Sequence, residues 1–295
     1  MTQQTYKPNR LMKEGHDSSK NRMAVRVACL LMGLAMLPAS AALVYNENFE
    51  SFNTGTLDSQ GGFSAGSAYS VVSGGLEYAN GDILIPGGAK SMKLTGSNTS
   101  GNDSFNVAMD SAVTSETFYF SVVLNLTSAG QDTFLWYGVS DSSKGSPLKN
   151  SAGFVKNSGS TLRVGPRISE GNDSSDHLTG AGTFSTDANT LLVGRVVPDG
   201  LGNYNTVSLE VNPSSSTEPA WGYTTSQTTN LPTFDSIFFR IGGSDRIGSG
   251  DLYLDSLRVG DSWDSVTAIP EPASLMLFAS IAVLAARRHL RSAGL

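Results

Sequence analysis

Thr117-Phe118-Tyr119-Phe120-Ser121-Val122-Val123-Leu124-Asn125-Leu126 alternates at period two. Phe118, Phe120, Val122, Leu124 and Leu126 fall on one face of an extended chain, with Thr117, Tyr119, Ser121 and Asn125 opposite. Successive side chains of a strand point to opposite sides, so the pattern predicts a strand with one face in a core.

The alternation recurs along the chain. Leu162, Val164 and Ile168 alternate with Arg163, Gly165 and Arg167, and Val207, Leu209 and Val211 repeat the pattern. Ile237, Phe239 and Ile241 share a side. Weaker candidates lie at 68–72, 75–79, 82–85, 90–95, 104–109, 133–139, 152–156, 190–197 and 251–259. In the last, Leu252/Leu254 and Leu257/Val259 have opposite parity, which predicts a bulge near Asp255 or burial on both faces. Gly, Ser, Asn and Asp clusters separate the runs as turns require, and no stretch between them carries a capped helical period. Roughly a dozen short strands in about 225 residues must stack or close to bury a face. The expected fold class is therefore all-β: one antiparallel β-sandwich over 42–267, of a length that suits a jelly roll.

Composition narrows the function classes. The chain has 295 residues, 16% of them charged, a formal net charge of −6 and one Cys. The charge is unevenly spread: residues 1–26 carry +4, residues 42–268 carry −12 and the last 27 carry +2. An acidic middle argues against a nucleic-acid partner, which needs a basic footprint. One Cys excludes a disulfide framework and a Cys-based zinc site.

Both ends read as addresses. After the basic segment comes an apolar run, Val27–Leu37, closing on Pro38-Ala39-Ser40-Ala41-Ala42. A basic region, a short apolar core and an A-x-A site at Ala39 and Ala41 form a secretory signal peptide over 1–41, with Met23 as an alternative start. The run is short of the roughly 20 apolar residues that span a bilayer. At the other end, Ile269-Pro270-Glu271-Pro272 precedes 14 uncharged residues, 273–286, and then Arg287-Arg288-His289-Leu290-Arg291. Fourteen helical residues cover about 21 Å, short of a hydrocarbon core of roughly 30 Å, and the arginines hold the terminus on the cytoplasmic side. The segment 268–295 reads as a processing signal with a short transmembrane helix; the alternative is a weak tail anchor.

This tail resembles the PEP-CTERM sorting signal, the substrate of exosortase-type transpeptidases in Gram-negative bacteria. The resemblance implies recognition of Pro270-Glu271-Pro272, transient retention in the inner membrane by 273–286 ahead of Arg287 and Arg288, and cleavage near the motif. It implies signal peptidase and the sorting enzyme as partners. It also implies a destination in the cell envelope, on the outer surface or in the extracellular matrix, in cell-surface or biofilm roles alongside exopolysaccharide. A second resemblance starts from Asn46-Glu47-Asn48-Phe49-Glu50 and Leu254-Asp255-Ser256-Leu257-Arg258-Val259-Gly260, followed by Ser262-Trp263. These look like the opening and closing strands of laminin-G or concanavalin-A-like jelly rolls, and imply that the first and last strands lie near each other.

Chemistry is sparse. His177 is the core's one His, so a Ser-His-Asp triad would have to use it, and nothing marks a nucleophile elbow. The core's seven Glu (47, 50, 77, 116, 170, 210 and 218) never form the E-x-D-x-x-E arrangement of concanavalin-A-like hydrolases, and Glu47 and Glu50 fall on opposite faces if extended. Calcium is a candidate cofactor, with Asn172, Asp173 and Asp176, or Asp251 and Asp255, as hard oxygen ligands. Sugar binding needs aromatic faces: Trp221 and Tyr223 are candidates, Trp221 the best for exposure. Trp136 is a third, although it shares a face with Phe134 in an alternating run and so reads as core. Trp263 reads as a packing residue. The expectation is a non-catalytic structural or adhesive sandwich that binds extracellular polysaccharide; the alternative is a glycoside hydrolase or lyase acting on it.

Overall fold

The computed structural model describes residues 42–95, 103–128, 134–144, 150–156, 162–170, 182–183, 185–242 and 250–268. The signal-peptide residues Ala39 and Ala41, the tail 269–295 with its expected helix, His177, and the candidate ligands Asn172, Asp173 and Asp176 lie outside them.

The expected antiparallel sandwich is present. One sheet has nine strands, in spatial order β16 (Tyr223–Ser226), β15 (Tyr204–Val211), β14 (Thr190–Pro198), β9 (Phe118–Leu126), β18 (Asp251–Gly260), β7 (Lys90–Thr95), β4 (Tyr69–Ser73) and β2 (Gly55–Thr56), with β1 (Leu43–Glu47) paired to β18. The other has seven, in the order β13 (Gly182–Thr183), β12 (Arg163–Glu170), β11 (Asn150–Lys156), β10 (Phe134–Ser140), β17 (Thr233–Gly242), β8 (Asp103–Thr114) and β3 (Ser64–Ala65). A separate hairpin joins β5 (Tyr78–Asn80) to β6 (Ile83–Ile85), and the one α-helix among the described residues, α1 (Trp263–Thr267), closes the domain behind a capping box from Ser262. The first and last strands pair directly, Tyr45 opposite Val259 and Glu47 opposite Leu257.

The two sheets meet in one apolar core, because each contributes the inward half of its alternation. From β9 come Phe118, Phe120, Val122, Leu124 and Leu126; from β10, Leu135, Tyr137 and Val139; from β17, Ile237, Phe239 and Ile241. The parity break in β18 is a bulge. Asp255 pairs with Val123 and Arg258 with Ser121, so Ser256 and Leu257 oppose the single residue Val122, and Ser256 takes a positive φ of 52°. The extra residue reverses the alternation, which returns Leu257 and Val259 to the same core as Leu252 and Leu254.

The outward face of β9 departs from the sequence reading. Tyr119, Ser121 and Val123 are buried, because the β5–β6 hairpin and α1 cover that side of the sheet. Tyr119 and Val123 join Leu76, Tyr78, Ile83, Ile85, Leu191, Val193, Trp263 and Val266 in a second, smaller apolar cluster. Ser121 donates to the Val266 carbonyl at 2.9 Å, so the one polar residue under the helix is hydrogen-bonded.

Candidate functional site

The three aromatic candidates are placed apart. Trp221 is half-buried, not exposed: it packs on the small outer cluster of the nine-stranded sheet, edge-on to Trp263 at 5.6 Å, with the Arg195 guanidinium 5.0 Å from its ring centre. Glu218 anchors this loop by accepting from Trp221 Nε1 at 2.7 Å, Arg195 at 2.8 Å and Tyr119 Oη at 2.9 Å. Burial first, and then Glu218, push the Tyr119 phenol up to about 12. Tyr223 pairs with Leu209 on the edge strand β16 and leans on the main core. Neither ring offers a free platform.

Trp136 lies on the other side of the sandwich. Its neighbours Leu135 and Tyr137 enter the main core, so Trp136 stands on the outer face of the seven-stranded sheet, where it is buried by that face's own residues: Arg167 stacks over its ring at 3.9 Å and Phe238 meets it edge-on at 5.2 Å. Trp136 is buried, as its place in an alternating run predicted, but on the outer side of the sheet and not in the core between the two sheets.

The strand register lays out that face as three rows. The first is Ala108, Ser236, Ser140, Ser151 and Ser169; the second is Asn106, Phe238, Gly138, Gly153 and Arg167; the third includes Ser104, Arg240 and Trp136. The middle row has no side chain at its centre, because β10 and β11 approach too closely for one: a Cβ on Gly138 would lie 2.7 Å from Gly153 Cα. The middle row thus has a backbone floor between Phe238 and Arg167, with Trp136 to one side and the serines to the other, and Ser140, Ser151, Ser169, Phe238, Trp136 and Arg167 are all buried. Ser140 and Ser236 share a hydrogen bond of 2.8 Å. Ser151 is fully buried, and its Oγ has no hydrogen-bond partner among the described residues. Along β8 the face opens to solvent at Ser104 and Asn106.

The described glutamates are engaged elsewhere. Glu50 accepts from the Ala89 and Lys90 amides, and Glu170 from the Asn230 amide at 2.7 Å. Glu47 accepts from the Phe49 amide, and burial raises its carboxyl above the usual range.

For calcium, the two sequence candidates separate. Asp251 forms a surface pair with Lys93 at 2.9 Å. Asp255 is buried in the β18 bulge, where its carboxylate accepts from the Leu76 amide at 2.8 Å and the Ser256 amide at 2.6 Å. Burial raises its carboxyl to about 7; those two amides pull it down, the nearby Glu50 pushes it up, and Arg258 lowers it again. Glycines surround the two carboxylates: a Cβ on Gly75 would lie 3.0 Å from Asp255 Oδ2, and one on Gly88 would lie 2.2 Å from Glu50 Oε1. No group of three His, Cys, Asp or Glu occurs among the described residues. Asp255 and the half-buried Glu50 are each already satisfied by backbone N–H donors, Leu76 and Ser256 on the one and Ala89 and Lys90 on the other.

No family model matches the chain, and no curated protein matches it. Solved structures do. The chain is similar to the cellulose-induced protein Cip1 (15% identity, TM-score 0.44, 74% of this chain and 97% of that one) and to the Emp47p carbohydrate recognition domain (10%, 0.44, 77% and 99%). It is also similar to an endo-β-1,3-glucanase from Pyrococcus furiosus (8%, 0.46, 75% and 94%). The likeness is one of fold.

Proposed function

We propose that this chain is an exported, non-catalytic β-sandwich that binds extracellular polysaccharide through the outer face of its seven-stranded sheet. The observation that carries the reading is the part of that face that reaches solvent, the β8 side with the exposed Ser104 and Asn106, next to the side-chain-free floor at Gly138 and Gly153. Sugars present many hydroxyls, which exposed hydroxyl and amide side chains on a sheet face complement. The rows carry no Asp or Glu, whereas retaining hydrolysis needs two carboxyls about 5–5.5 Å apart, and this favours binding over cleavage. Delivery rests on the two ends of the sequence: a signal peptide over 1–41 and a PEP-CTERM-like tail read by an exosortase-type enzyme, which would release the sandwich to the cell surface or matrix.

Two experiments test this. A glycan array probed with the purified chain, with and without calcium, should show binding that Asn106→Ala weakens about 5–10-fold while leaving the melting temperature unchanged, since Asn106 is exposed on β8. An absence of binding to any glycan sinks the reading. Independently, Glu271→Ala should block removal of the tail in the native host, seen as retention of a larger, membrane-associated form; tail removal at the same site would mean that another protease reads it.

A further inference from the structure

Ala42 stands directly after the Ala39-Ser40-Ala41 site and directly before β1. One residue holds it at both of its backbone polar atoms. The Ala42 nitrogen donates to Asp261 Oδ1 at 3.0 Å, and the Ala42 carbonyl accepts from the Asp261 amide at 3.2 Å. Asp261 lies between Gly260, the last residue of β18, and Ser262, the N-cap of α1. Leu43 pairs with Gly260, so the reciprocal contact at Ala42 is the outermost rung that joins the first strand to the last. Gly260 leaves room for it: a Cβ there would lie 2.9 Å from the Ala42 carbonyl oxygen and 2.1 Å from Ser265 Oγ. Every atom of the contact lies at or after the Ala42 nitrogen, and both residues are exposed.

We infer that removal of residues 1–41 turns this contact into an ion pair, the new α-ammonium group of Ala42 against the Asp261 carboxylate, a latch that only the processed chain forms. The inference rests on the export reading above and adds to it the group that receives the new terminus. Hydrolysis breaks the C–N bond between Ala41 and Ala42. The hydroxyl of water goes to the Ala41 carbonyl carbon and its hydrogen to the Ala42 nitrogen, and the proton lost by the new carboxyl group is matched by the one the amine takes up. The nitrogen that gave a single N–H to Asp261 then carries three and a full positive charge, and charge-assisted hydrogen bonds are roughly twice as strong as neutral ones. Cleavage one residue later would remove both Ala42 atoms and, with them, the latch.

The test exports the full-length chain from its native host and determines the N-terminus of the product by sequencing and intact mass. The expected start is Ala42-Leu43-Val44. Acylation of the terminal amine at pH 7, read by mass on the N-terminal peptide, then compares the unchanged chain with Asp261→Asn, which keeps an oxygen acceptor and loses the charge. A neighbouring carboxylate holds the amine in its protonated, unreactive form, so the variant should react about 2–5-fold faster. Its melting temperature should be about 1–3 °C lower at low salt, and the difference should vanish at high salt, as for an exposed ion pair. A product that starts at Ala42 but is acylated equally fast in both chains, or one trimmed to any other residue, overturns the latch and leaves export standing. A product that still carries residues 1–41 removes the export reading and the latch together.

Discussion

Phe120→Ala should lower the unfolding free energy by about 3–5 kcal/mol, the usual cost of deleting a fully buried aromatic ring. Phe120 has no exposure and sits at the centre of the sandwich, stacked on Phe154 of the opposite sheet at 4.7 Å and close to Tyr137 at 6.0 Å. Its cross-strand neighbour in β14 is Gly194, and a Cβ there would lie 2.5 Å from the Phe120 ring. The ring therefore fills space that Gly194 on the partner strand leaves open. For a domain of this size the loss corresponds to a fall in melting temperature on the order of 10 °C. Thermal or urea unfolding of the variant measures it; a change under about 2 °C would mean that the two sheets are not packed through this ring.

The second large effect is linked to pH. Asp255 has its carboxyl raised to about 7 in the folded chain, against an unfolded value near 3.9. The folded state then holds a proton that the unfolded state has lost, so the stabilisation is present in full below about pH 4 and disappears as pH rises through 7. At about 1.4 kcal/mol per pKa unit, the loss between pH 4 and 8 is at most about 4 kcal/mol. Burial raises Glu47 and Glu210 as well, which adds in the same direction. In a chelating buffer the melting temperature should therefore fall from pH 5 to pH 8. Asp255→Asn should flatten this response. A melting temperature that rises with pH would contradict the burial of this carboxyl.

Much of the sandwich was legible from alternation alone. The five apolar residues of β9 face the core as their period demands, and the parity break at Leu254/Leu257 located the β18 bulge. Strands without an apolar alternation left no such trace. The two-residue strands β2, β3 and β13 exist only as pairings with a neighbour, and Tyr223-Thr224-Thr225-Ser226 of β16 is an edge strand whose residues are mostly polar. Second-layer burial was also invisible. Tyr119 and Trp221 read as surface residues until the β5–β6 hairpin and α1, distant in sequence, are brought over them.

The candidate site shows the same division. The individual residues Trp136, Arg167, Ser151 and Gly153 stood in the sequence as ordinary strand positions. Only the register of five strands lines up the serines into a row, sets Gly138 against Gly153 and lays Arg167 across Trp136. The hydrogen bond from the Leu76 amide to the buried Asp255 carboxylate likewise joins residues 179 positions apart. Period, turn chemistry and charge distribution act between residues close in sequence, so the chain by itself determined the fold class, the bulge and the acidic middle with its two basic ends. Which outward-facing residues become buried, and which line up in one row across the sheet, depends on strand pairings between residues far apart in sequence, and only the tertiary structure decided those.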